Sequence, residues 1–169
     1  MDYASLIAFI LPAYIANSSP VVFSGRIPMD LGKKFWDGKR LLGPGKTFKG
    51  LVAAIAIGTT TGFILASANG VFLPQAEFKQ KILAGFLLSA GTMAGDLLGS
   101  FIKRRLDIPP GAQHEFFDQL LFLGGALALT STIYLPTWQE IVFLVVITYI
   151  LHKTFNYLAH YLKLKNVPW

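Results

Sequence analysis

Two aspartates stand where a charge is expensive: Asp96 inside one apolar run, and Asp118 at the start of the next. An ionised carboxylate within a membrane-spanning stretch costs roughly 2.5–3.5 kcal/mol on insertion scales, so something must offset it. A place in the first turn of a helix, where the macrodipole favours negative charge, accounts for part of Asp118. Asp96 lies too deep in its run for that. An ion pair with Lys103 or Arg104 is one reading of Asp96. Two carboxylates on neighbouring helices near one membrane face also make a hard-cation site, suited to Mg²⁺ (one or two ions) bridging phosphates. The second reading is preferred, with Asp96 and Asp118 as metal ligands.

The cations that such chemistry needs lie in two polar segments. The first, Leu31 to Gly50, reads LGKKFWDGKRLLGPGKTFKG. Its GPGKT stretch invites a nucleotide P-loop reading, but that motif needs a glycine at position 40, where Arg40 stands, and a preceding strand. Without the motif, Gly43 and Gly45 still allow backbone amides to approach an anion, while Lys46 and Thr47 supply a charge and a hydroxyl. Lys39, Arg40 and Lys49 add positive charge, and Asp37 stands among them. A plain loop touching anionic lipid headgroups is the bland alternative.

The second segment runs from Gly95 to Leu120 as GDLLGSFIKRRLDIPPGAQHEFFDQL. Ser100, Lys103 and Arg104 share one face at helical spacing, below Asp96. Pro109, Pro110 and Gly111 force a turn before the chain re-enters the apolar phase near Asp118. His114-Glu115 has the start of a zinc-helix motif, but Asp118 occupies the position of the second histidine, so no zinc site is expected. His114 is instead a candidate phosphate contact. His152 and His160 read as interfacial residues.

The elements that must hold these groups are membrane helices. The 169 residues are 53% hydrophobic and only 14% charged, with a mean hydropathy of +0.53, against about 25% charged residues in ordinary soluble domains. The formal charge of +6 lies between apolar runs, with no interleaved-aromatic signature of RNA binding. No nucleic-acid partner is expected, and anionic headgroups or a phosphorylated substrate suit it better. The absence of cysteine excludes disulfides and thiolate metal sites. The first apolar run lacks a basic leader and a cleavage site and reads as a retained helix.

Five apolar stretches are long enough to span hydrocarbon: 3–22, 51–68, 82–102, 116–135 and 141–162. The expected fold is all-α, a single polytopic membrane domain with polar loops at 24–50 and 103–115 forming the active site. If the amino terminus is outside, every basic residue except Lys79 and Lys81 falls on the inner side, which places the carboxyl terminus and both active-site loops in the cytoplasm. Small residues recur every fourth position at Gly50, Ala54, Gly58 and Gly62, and again at Gly91, Gly95 and Gly99. Such stripes let helix backbones approach closely.

At the two polar segments the sequence resembles the CTP-dependent cytidylyltransferases of lipid synthesis. Gly95-Asp96, Ser100, Lys103-Arg104, Pro110-Gly111 and Asp118-Gln119 are similar to the phosphatidate cytidylyltransferase signature, and Lys46-Thr47 with Gly50 to a second element of that superfamily. Small size and the spacing of Asp37-Gly38-Lys39-Arg40, Gly43 and Lys46 are closest to its archaeal branch, the CDP-archaeol synthases. Gln119 and Leu121 stand where the bacterial signature has Arg and a final Asp. Asp107 is the acid nearest to its post-KR Lys-Asp.

The resemblance implies transfer of CMP from CTP to 2,3-bis-O-(geranylgeranyl)-sn-glycerol 1-phosphate, giving CDP-archaeol and pyrophosphate. It implies Mg²⁺ as cofactor, with CTP, a lipid phosphate and membrane lipid as the partners. Asp96, Asp118, Lys46, Lys103 and Arg104 would then be catalytic. Asp37, Lys39, Arg40, Gly43, Gly45, Lys46, Thr47, Lys49, Ser100, Lys103 and His114 would bind CTP. The alternatives are an ester-lipid phosphatidate cytidylyltransferase, a CTP-dependent polyprenol kinase and, from another class, a small cation transporter.

Overall fold

A computed structural model describes residues 1–68, 70–110, 112, 115–161 and 163. It is all-α: α1 (Tyr3–Phe23), α2 (Phe48–Ser67), α3 (Phe78–Arg105), α4 (Glu115–Thr130) and α5 (Trp138–Tyr161). α1, α2, α3 and α5 start where a polar residue can satisfy orphan amides, Thr137 doing so for α5. Asp2 caps α1 by accepting from the Ser5 amide at 2.7 Å. Thr47 caps α2 by accepting from the Gly50 amide at 3.1 Å. Glu77 and Gln80 close a reciprocal capping box on α3. Lys103, Arg104 and Arg105 end α3, where cations complement the carbonyl dipoles.

The helices follow the apolar runs but not their ends. Caps carry α2, α3 and α5 further towards their amino termini than hydropathy does, because a helix turn outside the hydrocarbon is stabilised by hydrogen bonds, not by lipid. α4 stops at Thr130 instead of Leu135. There the Thr130 hydroxyl bonds back to the Ala126 carbonyl at 2.6 Å. The amides of Ile133 and Tyr134 then close a turn on the Thr130 carbonyl at 2.9 and 3.0 Å. The turn lets the Tyr134 hydroxyl donate to Glu140 at 2.7 Å. Among the described residues, α1, α2 and α3 are long and apolar enough to cross a membrane. α4 is apolar but has 16 residues, about 24 Å at 1.5 Å per residue.

Both glycine stripes are packing surfaces. The buried residues of α2 are Gly50, Ala54, Gly58 and Gly62. A Cβ at Gly62 would lie 2.6 Å from Gly85 Cα, and one at Gly95 would lie 1.9 Å from the Leu121 carbonyl oxygen. Backbone thus meets backbone where α2 crosses α3 and where α3 crosses α4, and α3 packs on α4 more extensively than any other pair of helices does. Leu6, Phe9 and Ile10 of α1, Leu88 of α3, Phe122 of α4 and Leu144 of α5 fill the core. Large apolar side chains such as Val52, Phe63, Phe86 and Val146 point outwards, as a lipid solvent permits.

Candidate active site

The segment between α1 and α2 is folded around one carboxylate. Asp30 accepts from Arg40 Nε and Nη2, both at 2.9 Å, and from the amides of Gly32, Leu42 and Gly43 at 3.0, 3.1 and 2.9 Å. Burial pushes this carboxyl's pKa up, but the guanidinium and the three amides outweigh it and hold the group well below the usual carboxylate range. Gly43 adopts φ +120°, a conformation that side chains disfavour, and a Cβ there would approach Arg104 Nη1 at 3.4 Å. Two isolated bridges, Pro28 with Thr47 and Lys34 with Arg40, hold the segment in a hairpin-like course.

A second set of contacts clasps this hairpin to the end of α3. Arg105 Nε meets Asp37 Oδ2 at 2.6 Å, and Arg105 Nη2 donates to the Arg40 carbonyl at 2.7 Å. The same guanidinium lies over the rings of Phe101 and Phe35, 4.5 and 5.2 Å from their centroids. Lys39 Nζ donates to the Arg105 carbonyl at 2.9 Å and pairs with Asp107 at 2.7 Å.

The clasp sets Gly43–Lys46 against α3 and α4 across a cavity of about 330 Å³. Its walls carry Gly43, Gly45 and Lys46 from the hairpin, Asp96, Ser100, Lys103 and Arg104 from α3, and Asp118 from α4. These groups are paired by charge. Lys46 Nζ donates to both carboxylate oxygens of Asp96 at 2.7 Å, and Lys103 Nζ meets Asp118 Oδ1 at 2.6 Å. Arg104 is buried, and its Nε has no hydrogen-bond partner among the described residues. A buried cationic donor left over in a cavity is a place for an acceptor to arrive.

The structure therefore lines one cavity with eight of the residues expected to catalyse or to bind CTP. Asp96 pairs with Lys46, not with Lys103 or Arg104. Asp37, Lys39 and Arg40 do not line the cavity: they are engaged in the clasp and with Asp30. The Gly43 amide, expected to face an anion, is turned to Asp30. Thr47 is buried behind the cavity, accepting the Gly25 and Gly50 amides at 3.0 and 3.1 Å. Lys49 is exposed on the first turn of α2. His114 lies outside the described residues. Asn17 of α1 and His152 of α5 also line the cavity; Asn17 is not among the sequence candidates above, and His152 reads there as interfacial. Their signal was a polar side chain inside an apolar run, the same cue that marked Asp96. Asp30 and Arg105 carried no comparable cue, since acidic and basic residues in a polar loop are ordinary.

Two carboxylates, three cations and a polar cavity at one end of a bundle of apolar helices define a membrane-embedded enzyme that handles phosphates. Comparison with known proteins makes this particular. A family model described as CarS-like, CDP-archaeol synthase, matches residues 3–169. The CDP-archaeol synthase of Pyrococcus abyssi is 44% identical over 163 residues, 95% of either chain. That of Saccharolobus islandicus is 44% identical over 169 residues, 99% of this chain and 97% of its own. A solved structure described as an intramembrane enzyme for archaeal membrane lipid biosynthesis is 40% identical, with a TM-score of 0.80 over 89% of this chain and 91% of that one. The chain belongs to the CDP-archaeol synthase family, which are CTP-dependent cytidylyltransferases. The resemblance drawn from the two polar segments holds over the whole length.

Proposed function

We propose that the cavity transfers CMP from CTP to 2,3-bis-O-(geranylgeranyl)-sn-glycerol 1-phosphate. An oxygen of the lipid phosphate bonds to the α-phosphorus of CTP as the bond to the β-phosphate breaks, and pyrophosphate leaves. A phosphate monoester has its second pKa near 6 and is largely dianionic at neutral pH, so the nucleophile needs no strong general base. Bringing two anions together is the harder task, and that calls for fixed positive charge. The observation that carries this reading is the pairing of Lys46 with Asp96 and of Lys103 with Asp118 across one cavity.

Without substrate the lysines and carboxylates neutralise each other. When the triphosphate enters, Lys46 and Lys103 pass from carboxylate to phosphate, and Arg104 supplies its unpartnered Nε donor. Ser100 and the Gly43–Gly45 turn line the pocket beside them. Asp37, Lys39 and Arg40 act at a remove, by fixing the turn to α3 through the clasp.

Asp96 and Asp118 fit a magnesium site. Two hard oxygen donors facing one cavity are what Mg²⁺ takes from a protein when substrate phosphates complete its shell. Among the described residues no cluster of three or more acidic, histidine or cysteine side chains is present, so substrate phosphates would have to complete the shell. Once bound, the ion would offset charge on the α-phosphate and the leaving pyrophosphate. The basic hairpin and the end of α3 lie on the cytoplasmic side, with the amino terminus outside, because the inner side then gathers nearly all the basic residues.

Purified protein supplied with Mg²⁺, the lipid phosphate and CTP labelled at either the α- or the γ-phosphate tests the reaction. The α-label is expected in the lipid and the γ-label in pyrophosphate. A γ-label in the lipid, with CDP released, would identify a kinase instead. An ester-linked phosphatidate accepted in preference to the ether lipid would shift the acceptor class.

A further inference from the structure

The cavity has a second polar wall that the cationic hairpin does not supply. α1 and α5 are joined between their side chains by Tyr14 Oη and Thr148 Oγ1 at 2.7 Å, and Thr148 is buried. One helical turn further towards the hairpin end, at Tyr14 plus three and Thr148 plus four, stand Asn17 and His152. Residues so spaced share a helix face, so the Tyr14–Thr148 bond sets Asn17 and His152 opposite one another, and both line the cavity. Asn17 lies about 9 Å short of the end of α1 at 1.5 Å per residue, within a membrane-spanning helix. Its side-chain amide has no hydrogen-bond partner among the described residues. The His152 ring is held by the Asn156 amide at Nδ1, 3.0 Å away.

Polar side chains on membrane helices that turn towards a cavity mark a ligand path. The hairpin wall is cationic and belongs to a loop, as a water-soluble triphosphate requires. The opposite wall carries an amide and an imidazole on helices that rise from the hydrocarbon. Both groups can donate hydrogen bonds to phosphate oxygens, and a phosphate tethered to two isoprenoid chains arrives from the hydrocarbon side.

Resting on the reading of the reaction given above, we infer that Asn17 and His152 form the subsite that receives the phosphomonoester headgroup of the lipid acceptor. CTP occupies the side of Lys46, Lys103 and Arg104. The two phosphates then meet between the walls, at Asp96 and Asp118.

The test uses the full chain in detergent with variants N17A, H152A and H152Q, and S18A as an exposed neighbour on α1. KM is measured for the ether-lipid phosphate at saturating CTP and for CTP at saturating lipid. Binding of radiolabelled lipid phosphate without CTP is measured in parallel. Loss of a hydrogen bond to a charged group is expected to raise the acceptor KM of N17A and H152A about tenfold or more, with the CTP KM held within about twofold. H152Q, which keeps a donor, should recover part of the loss, and S18A should match wild type. A raised CTP KM with an unchanged acceptor KM would overturn the proposal and assign the wall to the nucleoside. Unchanged values for both would reduce the pair to packing. If the wild type forms no lipid-linked CMP, the reaction itself is misread. The subsite then stands or falls on whether N17A and H152A lose binding of the labelled lipid phosphate.

Discussion

At the scale of single residues, the site is a set of charges that satisfy one another. A carboxylate inside a membrane helix is stabilised by its lysine, and the lysine by its carboxylate. Replacing Asp96 or Asp118 with Asn should therefore spare the fold, because each variant leaves a cation that can reach solvent through the cavity mouth. Turnover should nevertheless fall by at least about a hundredfold, the scale on which one charged group in a phosphate-transfer site is felt. Rates and size-exclusion profiles of D96N and D118N check this. Asp30 plays the other part, as a structural carboxylate. Its pKa is depressed in the folded chain, so the stability it confers is present above the ordinary carboxylate value of about 3.9 and is lost as pH falls through the lowered one. Hydrogen-exchange protection of the Gly32, Leu42 and Gly43 amides, corrected for intrinsic rates, should be level between about pH 5 and pH 8 and fail only in stronger acid. D30N should lose that protection at neutral pH.

At the scale of helices, close backbone approach does what a hydrophobic core does in water. Lipid tails compete for apolar side chains, so a helix pair gains most by fitting surfaces that lipid cannot match. Gly95 sits against the Leu121 carbonyl, whereas nothing lies within 4 Å of a Cβ at Gly124. Gly95→Val should lower the melting temperature in detergent by many degrees or prevent folding, and Gly124→Ala should leave it unchanged, as differential scanning fluorimetry will show. These stripes were legible in the sequence because a period of four is a local pattern. So were the five helices and the two carboxylates, whose cue is a charge in an apolar run. The ends of the helices were not, since Thr47, Glu77 and the turn after Thr130 decide them through hydrogen bonds that hydropathy ignores. The clasp was legible least of all. Asp37–Arg105 and Lys39–Asp107 are contacts between distant segments, and nothing local distinguishes those residues from solvated charges. Asp37, Lys39 and Arg40, expected from the resemblance to bind CTP, make contacts that hold Gly43–Lys46 in place.

At the scale of the whole molecule, the bundle sets a basic hairpin and an acidic pair at one end and leaves apolar walls below them. This arrangement suits a reaction between a soluble anion and a membrane-bound one. On the proposed reading, CTP reaches the cavity from the side of residues 24–47 and the acceptor from within the bilayer. The most direct test is a vectorial assay on sealed vesicles whose orientation is established by labelling single cysteines introduced at Lys34 and Gln75, the native chain having none. α-Labelled CTP is supplied with Mg²⁺ to one face at a time, with the lipid phosphate already in the bilayer. Lipid-linked label is expected only when CTP is on the face that exposes position 34. Label formed from the opposite face, or from neither, would contradict the proposed reading.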